Sequence, residues 1–191
     1  MAAIGTLSVL KSPNSRYYPC ALLGICFAIQ QFAEGFLWLL LPGQSITITF
    51  LQYTFLFFAL VAYPIMFPLA VYLIEQVKER RRIICFLLCV GLLTAAYNAL
   101  MLILVPSEAH IVNHSIQYYP EKAPWFFKAI YLGVLTGPML VSSVKYFPAV
   151  GIVSIITFFI SLQFYYETMT SVWCFMAAVV CMSIYLIIKQ K

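Results

Sequence analysis

The stretch Val179-Val180-Cys181-Met182-Ser183-Ile184-Tyr185-Leu186-Ile187-Ile188 decides the architecture, because its apolar residues fall on odd and even positions alike. A transmembrane β-strand alternates lipid-facing apolar with lumen-facing polar residues over about ten positions, and this run does not alternate. A helix satisfies every backbone N–H and C=O internally and tolerates apolar side chains all round, so the run reads as part of a membrane-spanning helix from about Thr170 to Ile188.

Five earlier runs have the same character: Tyr18 to Leu41, Thr47 to Leu73, Ile83 to Val105, Trp125 to Ser143 and Phe147 to Gln163. Each comes close to the roughly 20 apolar residues that one crossing needs. The whole chain of 191 residues is 64% hydrophobic, 17% aromatic and only 9% charged, with a mean hydropathy of +0.97. Soluble domains are about a quarter charged. Eleven Lys and Arg with six acids, all of them Glu, cannot cover a soluble body of this size. The composition excludes an extramembrane catalytic domain. It predicts an all-α, polytopic transmembrane helical bundle of six spans, forming a single domain over residues 1–191. Met1 to Leu10 is apolar but too short to cross a bilayer, and no basic segment precedes it as in a signal peptide. It reads as the remnant of a further span.

Basic residues set the orientation. On one side of the predicted topology lie Lys11, Arg16, Lys78, Arg80, Arg81, Arg82, Lys145, Lys189 and Lys191, and on the other only Lys122 and Lys128. The positive-inside rule makes the first side cytoplasmic, with both termini. The connections Leu41–Thr47, Pro106–Pro124 and Tyr165–Thr170 then face outward. Trp38, Tyr118, Tyr119, Trp125, Tyr165, Tyr166 and Trp173 form an outer aromatic belt, with Tyr17, Tyr18 and Tyr146 at the inner face. The net charge of +5 thus reports topology. The partner it implies is the lipid bilayer; the Lys78–Arg82 run contacts headgroups and is no nucleic-acid site. Nothing indicates an oligomer. The six cysteines lie in or beside apolar spans without metal or disulfide spacing, and Cys85 and Cys89 read as small packing residues.

One charge falls inside a span. In Gln30-Gln31-Phe32-Ala33-Glu34-Gly35-Phe36-Leu37-Trp38, helical geometry gathers Gln30, Gln31 and Glu34 into one sector of about 100°, and Trp38 extends that stripe outward. An ionised carboxylate within a span costs at least about 2.5 kcal/mol, so Glu34 must face protein. It either clamps helices through hydrogen bonds or serves as a carboxylate for a proton, a metal or a substrate amine. Candidate companions at the same pole are Asn98, His114 and Trp173, with Glu108, His110 and Ser171 nearby. On a helix, the spacing of His110 and His114 would present two imidazoles as half of a metal site. There is no third His, no Asp and no H-E-x-x-H, so a pair of ordinary loop histidines is the simpler reading. No motif requires a cofactor. Pro64 and Pro68 should kink the second span, and Gly137-Pro138 the fourth. Ser142, Ser143, Ser154, Thr157 and Ser161 suit close helix approach.

These residues also form a pattern. The chain resembles an uncharacterised family of bacterial multi-spanning membrane proteins that read F-G-x-Q-Q-x-x-E-G-x-x-W, F-F-A-x-x-x-x-P-x-x-x-P, G-H-S-I-x-Y, P-x-x-x-S-S and S-V-W-C-F-x-A-A. The matching positions are Gln30, Gln31, Glu34, Gly35 and Trp38; Phe57, Phe58, Ala59, Pro64 and Pro68; His114, Ser115, Ile116 and Tyr118. Pro138, Ser142 and Ser143 follow, and then Ser171 to Phe175 with Ala177 and Ala178. Ala28 and Asn113 stand where the pattern has Gly. The resemblance implies a seven-span fold in the bacterial inner membrane, of which this chain would lack the N-terminal start, and it implies no activity. Three functions fit the residues. The first is an outward-facing polar pocket, centred on Glu34 with Gln30, Gln31 and His114, that binds or moves a small solute, ion or proton. The second is a metal-dependent hydrolase or transferase using Glu34 and His114, and the third a structural or sensor protein.

Overall fold

The structure, a computed structural model, describes residues 18–41, 43, 46–119 and 124–189, and of residues 20, 21, 119 and 181–189 the backbone alone. The segment Met1 to Leu10 lies outside the described residues, as do Lys11, Arg16, Tyr17, Lys122 and Lys191.

The described chain is an all-α bundle of six helices: α1 (Tyr18–Leu40), α2 (Ile46–Ile74), α3 (Lys78–Leu104), α4 (Trp125–Val141), α5 (Phe147–Phe164) and α6 (Met169–Lys189). Four described segments, Leu22–Leu40, Ile46–Ile74, Lys78–Leu104 and Phe147–Phe164, are long and apolar enough to cross a membrane, and α4 is apolar but shorter. Each helix packs on its neighbours in sequence, and α6 returns to α1; the second half of α2 also lies against α4. The interior is built from Phe27, Tyr63, Phe67, Leu135, Met139 and Phe147 among others. Outward faces carry Phe32, Phe36, Leu39, Phe50 and Ile103, all exposed, as the lipid-facing side of a bundle does. Two aromatics expected in the outer belt, Tyr118 and Trp173, instead face the interior, at 4% and 7% exposure.

Pro64 and Pro68 shape α2. Ahead of Pro64 the helix widens into a π-helical segment, Phe57–Ala62, flanked by α-helix on both sides. The Tyr63 N–H bonds to Phe58 O, one residue further back than in an α-helix, which frees Ala59 O. Pro64 has no N–H, so Leu60 O loses its ordinary partner; Pro68 does the same to Pro64 O. Each orphan is answered from a neighbouring helix. Tyr131 donates its hydroxyl to Ala59 O, and Asn98 Nδ2 donates to Leu60 O at 2.9 Å. At Pro64 O the backbone of Gly91 comes so close that a Cβ there would overlap the oxygen. That approach suits a Cα–H···O contact and requires glycine.

At the basic pole the chain turns twice, and both turns close on Glu75. Its carboxylate, 2% exposed, accepts from Ser143 N–H at 2.7 Å, Ser143 Oγ at 2.6 Å, Val77 N–H at 2.9 Å and Ser142 Oγ at 3.2 Å. Arg80 donates to the last carbonyls of α4, Val141 O and Ser142 O, at 3.1 and 3.0 Å. Burial raises the pKa of Glu75, but these donors outweigh it and hold the carboxyl below its ordinary value.

The polar stretch between α3 and α4 is a β-hairpin. Strands β1 (Glu108–Val112) and β2 (Ser115–Tyr119) pair antiparallel, with Val112 opposite Ser115. The turn residues Asn113 and His114 adopt φ of 47° and 59°, the left-handed pair that a tight two-residue hairpin turn needs. Ala109, Ile116 and Tyr118 point inward and join Leu37, Phe55 and Cys174 in a second apolar cluster.

Candidate functional site

The polar face read on α1 is buried. Gln30 is fully enclosed; its Oε1 accepts the Tyr63 hydroxyl at 2.8 Å, and its Nε2 donates to Phe55 O at 3.4 Å. One turn further along α1, Glu34 is 6% exposed. Its Oε1 accepts from the Tyr118 hydroxyl and its Oε2 from Gln31 Nε2, both at 3.4 Å, and the Ser171 hydroxyl also hydrogen-bonds the carboxylate. Glu34 therefore ties α1 to the hairpin and to α6. Those donors offset only part of the cost of burying the carboxyl group.

Beside this knot lies a cavity of about 330 Å³ between α2, α3, α4 and α6, with the hairpin along one side. It lies against the π segment: Leu60 of that segment lines it, as do Tyr131 and Asn98, which answer the freed carbonyls. Tyr118 also lines it, with its ring stacked on Phe55 at 4.6 Å between centroids. Trp173 forms the far wall, packed edge-on against Phe158 and Tyr131. Lys128 sits at the rim. The base of the hairpin is pinned where Gln52 Nε2 donates to Ser107 O and the Ser107 N–H donates to the Tyr53 hydroxyl at 3.4 Å.

The residues singled out from sequence fall into three places. Asn98 and Trp173 line the cavity. Glu34 and Gln31 stand behind Tyr118 and are not among the lining residues, while Gln30 is committed to Tyr63 and Phe55. His114 is exposed in the hairpin turn, and His110 is exposed in β1 opposite Gln117, with Nε2 3.3 Å from Glu108 Oε2. In a hairpin the pair does not share the face that a helix would give it. Among the described residues no three His, Cys, Asp or Glu side chains gather as a metal site.

Three contributors are not among the site residues read from the sequence: Tyr131, Lys128 and Tyr118. Tyr131 had a legible cue, because a Pro-bearing span needs donors from its neighbours for the carbonyls one turn back. Lys128 had one as well, as one of only two basic residues on the sparsely charged side. Tyr118 had none beyond its place after His114, since its contact with Glu34 spans the chain and depends on the hairpin register.

The cavity combines a concave, mainly apolar wall with a few polar groups, as small-molecule sites do, and its volume lies at the low end of their usual range. No curated protein and no solved structure matches the chain. The chain belongs to the family of unknown function DUF6629, whose family model matches residues 1–191.

Proposed function

We propose that the protein is a six-span membrane protein of the bacterial inner membrane, with both termini cytoplasmic, and that it binds or passes a small solute at its outward pole. The cavity beside Tyr118 carries this reading, because a concave space of about 330 Å³, open on one side and walled mainly by apolar side chains with a few polar groups, has the size and lining of a small-molecule site. The six helices and the basic residues at the Glu75 pole support the topology. In this account Glu34 acts on the cavity as a positioning residue: its carboxylate orients Tyr118, whose ring forms part of the wall. The π segment next to the cavity fits the same reading, since such bulges recur at functional sites.

The test is native mass spectrometry of the protein released from lipid nanodiscs. Thr94 lines the cavity and spends its hydroxyl on Val90 O of its own helix, so Thr94→Phe adds bulk to the void without stripping a partner. The wild type should retain one small molecule per chain, and Thr94→Phe, with an unchanged circular dichroism spectrum, should lose it. A wild type without a bound mass, or a bound mass indifferent to Thr94→Phe, contradicts the proposal.

A further inference from the structure

We infer that the cavity accepts a single-chain anionic amphiphile, its apolar tail inside the void and its charged head at Lys128; this rests on the reading of the cavity as a binding site. Most polar groups of the wall are already engaged within the protein. Tyr131 spends its hydroxyl on Ala59 O, Asn98 its Nδ2 on Leu60 O, Thr94 its hydroxyl on Val90 O and Trp173 its Nε1 on Ser154 O. The inner wall consequently offers mostly hydrocarbon, from Leu56, Leu60, Met101, Phe158 and Trp173.

The rim differs. Lys128, one turn into α4 and half-buried, has its Nζ 3.9 Å from Met169 Sδ and 4.8 Å from the centre of the Tyr166 ring. Neither partner carries a formal charge. Among the described residues no carboxylate forms an ion pair with Lys128, and Glu167, next to Tyr166, is no exception. An ammonium that no described carboxylate pairs, at the edge of an apolar cavity, is complementary to an anion whose remainder is apolar. The volume, about 330 Å³ and at the low end for small-molecule sites, suits one chain of moderate length rather than the two of a phospholipid. A fatty carboxylate and a lysophospholipid with an anionic head share this chemistry.

The experiment uses Trp173 as reporter. In a Trp38→Phe/Trp125→Phe protein in zwitterionic nanodiscs at pH 8, 11-bromoundecanoate should quench Trp173 fluorescence saturably. It should do so at a concentration at least about tenfold below that needed by 11-bromoundecanol. Lys128→Gln should abolish this preference and Lys128→Arg should keep it. Dodecanoate or lysophosphatidylglycerol should displace the probe while lysophosphatidylcholine does not, and whichever anion displaces identifies the head group. Equal affinities for acid and alcohol, a preference that survives Lys128→Gln, or displacement by neither anion overturns the inference. If saturable quenching is still lost in Thr94→Phe, the cavity reading stands while the anionic head falls. Unsaturable quenching that ignores Thr94→Phe overturns both.

Discussion

Among the glycines whose surroundings are described, Gly91 should be the one at which an added methyl group does most damage. The built methyl overlaps the Pro64 carbonyl oxygen and comes within 3.1 Å of the Pro64 carbonyl carbon and of Val134 Cγ1. Two of the three neighbours are backbone, so no rotamer change relieves the clash, and α2 and α3 must separate by about 1 Å to restore van der Waals distance. Such overpacking costs about 1–3 kcal/mol, and a backbone clash belongs at the upper end. Separation also withdraws the contact that answers Pro64 O, whose usual donor is missing at Pro68, and an unanswered buried carbonyl adds about 1 kcal/mol or more. Against this, alanine gains about 1 kcal/mol of helix propensity over glycine. The net loss is about 3 kcal/mol, equivalent to a fall of roughly 6–12 °C in melting temperature for a chain of this size. The assay is thermal unfolding in detergent, followed by circular dichroism. Gly35 and Gly133 supply controls within the same protein, since a Cβ at either meets nothing within 4 Å. Gly35→Ala and Gly133→Ala should leave the transition unchanged or raise it. A Gly91→Ala protein melting within 1 °C of the wild type would refute the close packing of α3 against Pro64 of α2.

Other expectations follow from the same geometry. Glu75→Ala strands four donors at the basic pole and should cost about 3 kcal/mol in the same melting assay. Because the folded-state pKa of Glu75 is held below the ordinary glutamate value of about 4.3, its contribution is present above that pH and is lost as pH falls through the lowered folded value. Glu75→Gln should therefore flatten the acid limb of the stability profile, and an unchanged limb would refute the clamp. Asn98→Leu leaves Leu60 O unanswered and should cost about 1–2 kcal/mol; Pro64→Ala, which returns a backbone N–H to that turn, should recover part of the loss, and failure of any rescue counts against the orphan-carbonyl account. Glu34→Gln and Tyr118→Phe should lower retention of the cavity's occupant in native mass spectra to similar extents, with the double variant no worse than either. An additive double variant would separate Glu34 from the cavity.

What the sequence conveyed and what it hid divide along one line. The helices were legible because lipid-depth segments must be apolar and about 20 residues long. The inward face of α1 was legible because one charge within a span has only one tolerable direction, and Gln30 and Glu34 are both buried. The hairpin was not, since Glu108 to Tyr119 carries polar and apolar residues in a pattern that also fits a loop, and its turn needs two left-handed residues that Asn113-His114 only permits. Glu75 was passed over because a carboxylate beside Lys78–Arg82 resembles a topogenic flank. Its partner Ser142 is 67 positions away, beyond any local pattern. The cavity was invisible for a related reason: its walls come from residues as far apart in the chain as Leu56, Asn98, Lys128 and Trp173, and no local pattern states how they meet.

If the bundle spans the membrane and its cavity opens at the pole opposite Arg80–Arg82, side-specific labelling should separate Ser107→Cys, a residue of the cavity wall, from Arg81→Cys, each in a protein without native cysteines. With a membrane-impermeant maleimide on intact cells, Ser107→Cys should react, and occupation of the cavity should slow it, while Arg81→Cys should react only after permeabilisation. Reaction of both from the same side, or of Arg81→Cys alone in intact cells, would contradict the account.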